Sequence, residues 1–259
     1  MTDQGVNAPR PAPRPWPADG VLGRAAGWTV EYVEVTGSTN TDLLADAAAR
    51  PDRSVRATGH QTAGKGRLDR RWDAPPGSNL LVSILFHTVP EQPSELTRRM
   101  ALAAVEAARE VAGVEVNLKW PNDLLIGEAK LAGILAERNA AGSVVVGIGL
   151  NVGWAPDGAA RLGDGVAPPD VLDALLRAYD RLPDDVTDLY RSHLVTLGRR
   201  VRVELPADVV LEGTATGVET DGRLVVLDAC GLTHRFAAGD VVHLRTAWVP
   251  EIGEGPPVA

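Results

Sequence analysis

Residues Gly59-His60-Gln61-Thr62-Ala63-Gly64-Lys65-Gly66 nearly spell a phosphate-cradling loop, with two glycines five apart and then a lysine. The match fails at Gly66, where a serine or threonine should hold magnesium. It fails again downstream, because the chain runs into Arg70-Arg71-Trp72 and Pro75-Pro76 where a helix should start. The dinucleotide fingerprint fails too, since Asp69 stands where its third glycine belongs. What remains is a glycine-rich loop with Lys65, Arg67, Arg70 and Arg71, four cations in seven residues. On charge alone a solvated basic loop explains it. The glycines, a strand before and a tryptophan after favour a loop that closes over an anion, such as a carboxylate beside a triphosphate.

Three more polar clusters lie downstream. Lys119-Trp120-Pro121-Asn122-Asp123 ends an alternating strand at a turn, which reads either as an ordinary side-chain-bonded turn or as a functional strand end. Lys130 opens the apolar run Leu131–Leu135, as a snorkelling edge lysine would, or a lysine aimed at a ligand. Gly147-Ile148-Gly149-Leu150-Asn151-Val152 is an apolar strand holding two glycines and an asparagine. Glycine there signals close approach by another group, and a buried asparagine needs partners. Of the 26 basic residues only Lys65, Lys119 and Lys130 are lysines, and all lie in this stretch. Arginine-rich coding explains the bias; a lysine that persists marks a place for a compact ammonium.

The elements that must position these residues follow from periodicity. Residues 1–27, with five alternate prolines from Pro9 to Pro17, read as a flexible leader whose removal through residue 24 should be harmless. Order is expected from Trp28, with a strand over 28–33 and a helix over 40–49 capped by Ser38 or Thr39. Strands are predicted at 54–58 and 79–86, and a helix capped by Ser94 carries Leu96, Met100, Ala103, Ala107 and Val111 on one face. A meander covers 124–126, 130–137 and 143–152, and helices are expected at 170–182 and 186–197. Short strands after Gly198 suggest a small β-barrel. The predicted class is α+β: a mixed sheet flanked by helices over 28–197, a β-barrel over 198–247 and a tail over 248–259.

Composition bounds the function. With 26 basic and 34 acidic residues the net charge is −8, a poor footprint for sequence-independent nucleic-acid binding. No apolar run is long enough to span a bilayer, and the N-terminus lacks a secretory layout. The single cysteine, Cys230, excludes an internal disulfide, and the default compartment is the cytoplasm.

In this order the motifs resemble the biotin–protein ligase family: Gly37-Ser38-Thr39-Asn40, Gln61 to Arg67 with Trp72, Lys119 to Asp123, Lys130 to Leu135, and Gly147 to Val152. The resemblance spans roughly residues 28–247. It implies a class II synthetase-like ligase domain joined to an SH3-like barrel. It also implies a two-step reaction in which biotin and MgATP give biotinyl-5′-adenylate, whose acyl group passes to one lysine of the biotin carboxyl carrier domain of an acyl-CoA carboxylase. Carried over, Ser38, Thr39, Asn40, Gln61, Gly64, Lys65, Gly66, Arg67 and Lys130 would bind biotin. Arg67, Arg70, Trp72, Asn122, Lys130 and Asn151 would bind ATP or the adenylate. Arg67, Lys130 and Asp123 would be catalytic, with Asp123 near the acceptor lysine, and no metal ligand is assigned beyond magnesium brought by ATP. The family loop often has arginine at 65 and glycine at 69; Lys65 keeps the charge, and Asp69 lowers the loop's sum from +4 to +3. The short N-terminal stretch implies no DNA-binding domain and no nucleic-acid partner, and the expected state is a monomer or weak homodimer. Lipoate–protein ligase and a biotin-responsive DNA-binding regulator are the competing readings.

Overall fold

In a computed structural model, the described residues are 15–17, 20–25, 27–68, 70–205, 209–237 and 239–244. Asp69, the tail and residues 1–14 of the leader lie outside them. Eight strands form the main sheet: β1 (Gly20–Ala25), β2 (Trp28–Thr36), β3 (Ser54–Gln61), β4 (Leu80–Phe86), β5 (Asn117–Lys119), β6 (Asp123–Ile126), β7 (Ala129–Arg138) and β8 (Val144–Leu150). Their order is β1-β2-β3-β4-β8-β7-β6-β5. Only β2 and β3 run parallel; the other neighbours are antiparallel.

The leader therefore ends earlier than its composition suggests. β1 pairs with β2 from Gly20, and Trp16 stacks on Tyr32 with ring centroids 4.7 Å apart. Glycines and prolines hide this edge strand from a periodicity argument. Removing residues through 24 would strip β2 of most of its neighbour.

The sheet has two unlike faces. Alternate residues Leu80, Val82, Ile84 and Phe86 of β4 join the main core with α2 (Ser94–Ala112) and α3 (Pro168–Asp180). The opposite face packs Leu85 and Val145 under Leu43 and Ala47, on and just after the short helix α1 (Thr39–Ala45). Along that face the side chains shrink: Ser83 on β4 stands beside Gly147 on β8, and Gly149 on β8 stands beside Gly133 on β7. A sheet face with its side chains removed leaves room for a cavity.

Ser94 is not the cap of α2 but its first residue, after Pro93; its hydroxyl instead donates to the Asp221 carbonyl at 2.7 Å. That bond docks the C-terminal sheet. β9 (Arg200–Leu205), β10 (Val209–Val218), β11 (Leu224–Asp228), β12 (Thr233–Phe236) and β13 (Asp240–His243) are antiparallel in the order β12-β11-β10-β9-β13. α4 (Thr187–His193) precedes them, and the Trp120 indole donates to the Gly222 carbonyl at 3.0 Å. Among the described residues no helix is long and apolar enough to cross a membrane.

Candidate active site

Over the glycine-rich face lies a cavity of about 270 Å³. All five sequence motifs reach it. Of the residues singled out from sequence, Ser38, Thr39, Asn40, Gln61, Lys65, Gly66, Arg67, Arg70, Trp72, Asn122, Asp123, Lys130 and Asn151 line it; Gly64 does not. Gly64 serves the loop from behind, since a Cβ there would meet the Trp72 carbonyl oxygen at 2.2 Å.

One end of the cavity is a chain of polar groups, of which Thr39, Asn40 and Ser83 are buried. The Thr39 amide and hydroxyl both donate to Gln61 Oε1, at 2.9 and 3.1 Å. The Thr39 hydroxyl is also 2.6 Å from Ser83 Oγ, and Ser83 donates to Asn40 Oδ1 at 2.6 Å. Asn40 Nδ2 donates to Glu137 Oε2 at 2.7 Å, and Glu137 faces the Lys65 ammonium at 3.6 Å. Gly147 makes room for this chain, because a Cβ there would lie 2.2 Å from Asn40 Oδ1. Such fully bonded polar chains hold fixed donors and acceptors for a polar ring.

The other end is built on Trp72. Its indole lies against Gly149, where a Cβ would be 2.4 Å from the ring, and its Nε1–H is buried without a partner. Pro156 and Ala159 also line the cavity. Asn151 lines the cavity through a side chain already engaged: Nδ2 donates to the Ala160 carbonyl at 2.9 Å, and Oδ1 accepts from Asn79 Nδ2 at 3.2 Å.

Lys130 lies near the Trp72 end, its Nζ 2.6 Å from Asp123 Oδ1 and 5.7 Å from the Trp72 ring centre. The glycine-rich loop covers the cavity and is held by protein atoms. Arg67 donates to Asn122 Oδ1 at 3.0 Å and to the Gly239 carbonyl at 3.2 Å, and Arg70 pairs with Asp240. Burial pushes the Arg67 guanidinium below arginine's ordinary pKa, while Asp240 and Asp123 draw it back up. The C-terminal sheet thus supplies a cavity wall, Asp240, which nothing in the sequence motifs marked. Ser83 was missed as well. The one hydroxyl in the apolar run Asn79–Phe86 is the signal that points to it.

Residues 32–154 match the biotin/lipoate A/B protein ligase family, and residues 196–244 match the biotin protein ligase C terminal domain. The biotin--[acetyl-CoA-carboxylase] ligase of Mycobacterium tuberculosis is 40% identical over 253 residues, covering 88% of this chain and 94% of the relative. The chain belongs to the biotin protein ligase family. The bifunctional ligase/repressor BirA of Bacillus subtilis is 29% identical to this ligase over 247 residues, 85% of this chain and 75% of its own. In fold, the ligase resembles the biotin protein ligase from Aquifex aeolicus in complex with biotin and ATP. The TM-score is 0.72 at 24% identity, covering 84% of this chain and 99% of the other.

Proposed function

We propose that this ligase activates biotin with ATP and transfers the biotinyl group to a lysine of a biotin carboxyl carrier domain. The observation that supports it most is that the Lys130 ammonium shares one cavity with a polar end suited to biotin's ureido ring and an aromatic end suited to adenine. An ammonium there faces both the biotin carboxylate and the α-phosphate.

In the first step a carboxylate oxygen bonds to the α-phosphorus and the bond to pyrophosphate breaks. Two anions meet, so Lys130 and Arg67 offset their repulsion and the charge that grows on the five-coordinate phosphorus. Arg67 grips two oxygens at once; Lys130 supplies a point charge. Magnesium carried by the ATP phosphates would supply further charge neutralisation. Among the described residues no group of three or more His, Cys, Asp or Glu side chains is placed to hold a metal ion, so no protein ligand is assigned to it.

In the second step the acceptor amine attacks the acyl carbon, the bond to AMP breaks, and the amine loses a proton. Asp123, released from Lys130 once the ligand takes that ammonium, is the base in reach. Loop closure keeps water from the mixed anhydride. Ser38, Thr39, Asn40, Gln61 and Ser83 hold the biotin end; Trp72, Asn151 and Asn122 serve the nucleotide. The acceptor reading places the reaction in the cytoplasm, with a carboxylase as partner.

Isotope exchange between pyrophosphate and ATP tests this. Exchange should depend on biotin and not on lipoate, and label should then move to a purified carrier domain. Exchange driven by lipoate, or none with biotin, would overturn it.

A further inference from the structure

Asn79 precedes the apolar strand β4 and is 1% exposed. It lies outside every motif, and its side chain is fully engaged. Oδ1 accepts the amides of Val152 at 3.0 Å and Trp154 at 3.2 Å, and Nδ2 donates to Asn151 Oδ1 at 3.2 Å. The next residues back help, since Gly153 N donates to the Ser78 carbonyl at 2.8 Å.

These bonds pin the chain as it leaves β8. From there the order spreads. Asn151, itself 2% exposed, passes the constraint on through Nδ2 to the Ala160 carbonyl, and its own carbonyl accepts from Leu162 at 3.0 Å. The Ala160 amide then donates to the backbone carbonyl of Lys130 at 2.9 Å. The segment so held carries Pro156 and Ala159, which form part of the cavity wall. Hydrogen bonds among buried amides are directional and leave no solvent partner if broken, so this clasp sets the wall's position.

We propose that Asn79 is a positioning residue for the nucleotide: it holds the 152–162 wall, and through it the Lys130 backbone, without touching ligand. The proposal rests on the assignment of the Trp72 end to ATP. The biotin end is fastened separately by Thr39, Gln61, Asn40 and Ser83, so the two substrates should respond differently.

The test compares Asn79→Ala and Asn79→Asp in the full chain. Asn79→Ala should raise KM for ATP about tenfold in biotin-dependent exchange, with kcat within threefold because the Lys130 and Arg67 side chains that meet the reacting groups are left intact. KM for biotin should stay within twofold. Asn79→Asp keeps an oxygen for both backbone amides but loses the donor to Asn151 Oδ1, and should raise KM for ATP about threefold; it carries the comparison if the alanine variant does not fold. Amide hydrogen exchange in the ligand-free protein gives a readout independent of activity. Val152 and Trp154 should exchange faster in the alanine variant and near the wild-type rate in the aspartate variant. Unchanged KM for ATP in a folded variant, equal losses for both substrates, or unaltered exchange at Val152 and Trp154 would overturn the proposal. Should the wild-type protein show no biotin-dependent exchange, the assigned reaction fails instead, and ATP titration by calorimetry decides the clasp: affinity unchanged by Asn79→Ala overturns it, and a tenfold loss sustains it.

Discussion

The Asp123 carboxylate meets the Lys130 ammonium at 2.6 Å because Asp123 is paired, across β6 and β7, with a residue that has no side chain, Gly133. Lys130 folds back over that glycine, where a Cβ would come within 3.2 Å of Nζ. A register shift between Leu124 and Leu125 brings Lys130 itself opposite Leu125. On the proposed function, that carboxylate occupies the place the substrate anions would take. Lys130→Ala should slow adenylate formation roughly 100-fold, as expected for losing about 3 kcal/mol of charge stabilisation at the transition state. It also strands Asp123 beside the anions. The double variant Lys130→Ala/Asp123→Asn should therefore bind adenylate about fivefold more tightly than Lys130→Ala alone, equivalent to about 1 kcal/mol of relieved repulsion. Calorimetry on both proteins checks this; equal affinities would mean that Asp123 is not felt by the ligand.

Ser83 joins Thr39 to Asn40, and both of its contacts are 2.6 Å. Ser83→Ala leaves two buried partners short of a bond, at about 1–3 kcal/mol. The expected result is a five- to tenfold rise in KM for biotin with KM for ATP unchanged. Steady-state exchange with each substrate varied in turn reads it.

Gly149→Ala would drive a methyl group to within 2.4 Å of the Trp72 ring. The ring must leave its slot, at a cost of about 1–3 kcal/mol for overpacking. Nucleotide affinity should fall at least tenfold, and the tryptophan emission should shift red as Trp72 gains water. An unshifted spectrum with normal affinity would show that the slot does not set the site.

Much of this site was legible because its chemistry is local in sequence. The loop Gly64–Trp72, the turn Lys119–Asp123 and the strand start at Lys130 each carry their residues within a few positions, and each sends side chains into one cavity. What escaped depends on long-range pairing. Asp240 reaches Arg70 from 170 residues away, and Ser83 reaches Asn40 across 43. Strand β1 escaped for a different reason: its sequence, Gly-Val-Leu-Gly-Arg-Ala, has too few alternating residues to reveal an edge that β2 supplies. The helix expected over 186–197 stops at His193, because Val195 N turns to the Leu118 carbonyl and Thr196 Oγ1 accepts from the Trp120 amide. Tertiary partners there outweigh helical propensity.

His243 makes the joint between the two sheets sensitive to acid. Its ring nitrogens face Thr196 Oγ1 at 3.2 Å and Arg199 Nη1 at 3.3 Å, and Thr196 in turn accepts the Trp120 amide. Burial, with Lys119 and Arg199 adding their positive charge, lowers the His243 pKa to about 4, against the opposing pull of Glu128. The folded pKa lies below the unfolded value near 6.5, so the unfolded chain binds the proton more readily. The contribution to stability is full above pH 6.5 and is lost progressively as pH falls towards 4. Half-buried as it is, the ring's share is reduced by solvent. Thermal melting across pH 7 to 4 should therefore show a falling Tm that flattens in His243→Gln, which carries no titratable ring. Since Thr196 touches the backbone beside Asn122 and Asp123, exchange activity should fade over the same window. A wild-type and a His243→Gln curve that run parallel would assign the acid loss to other groups.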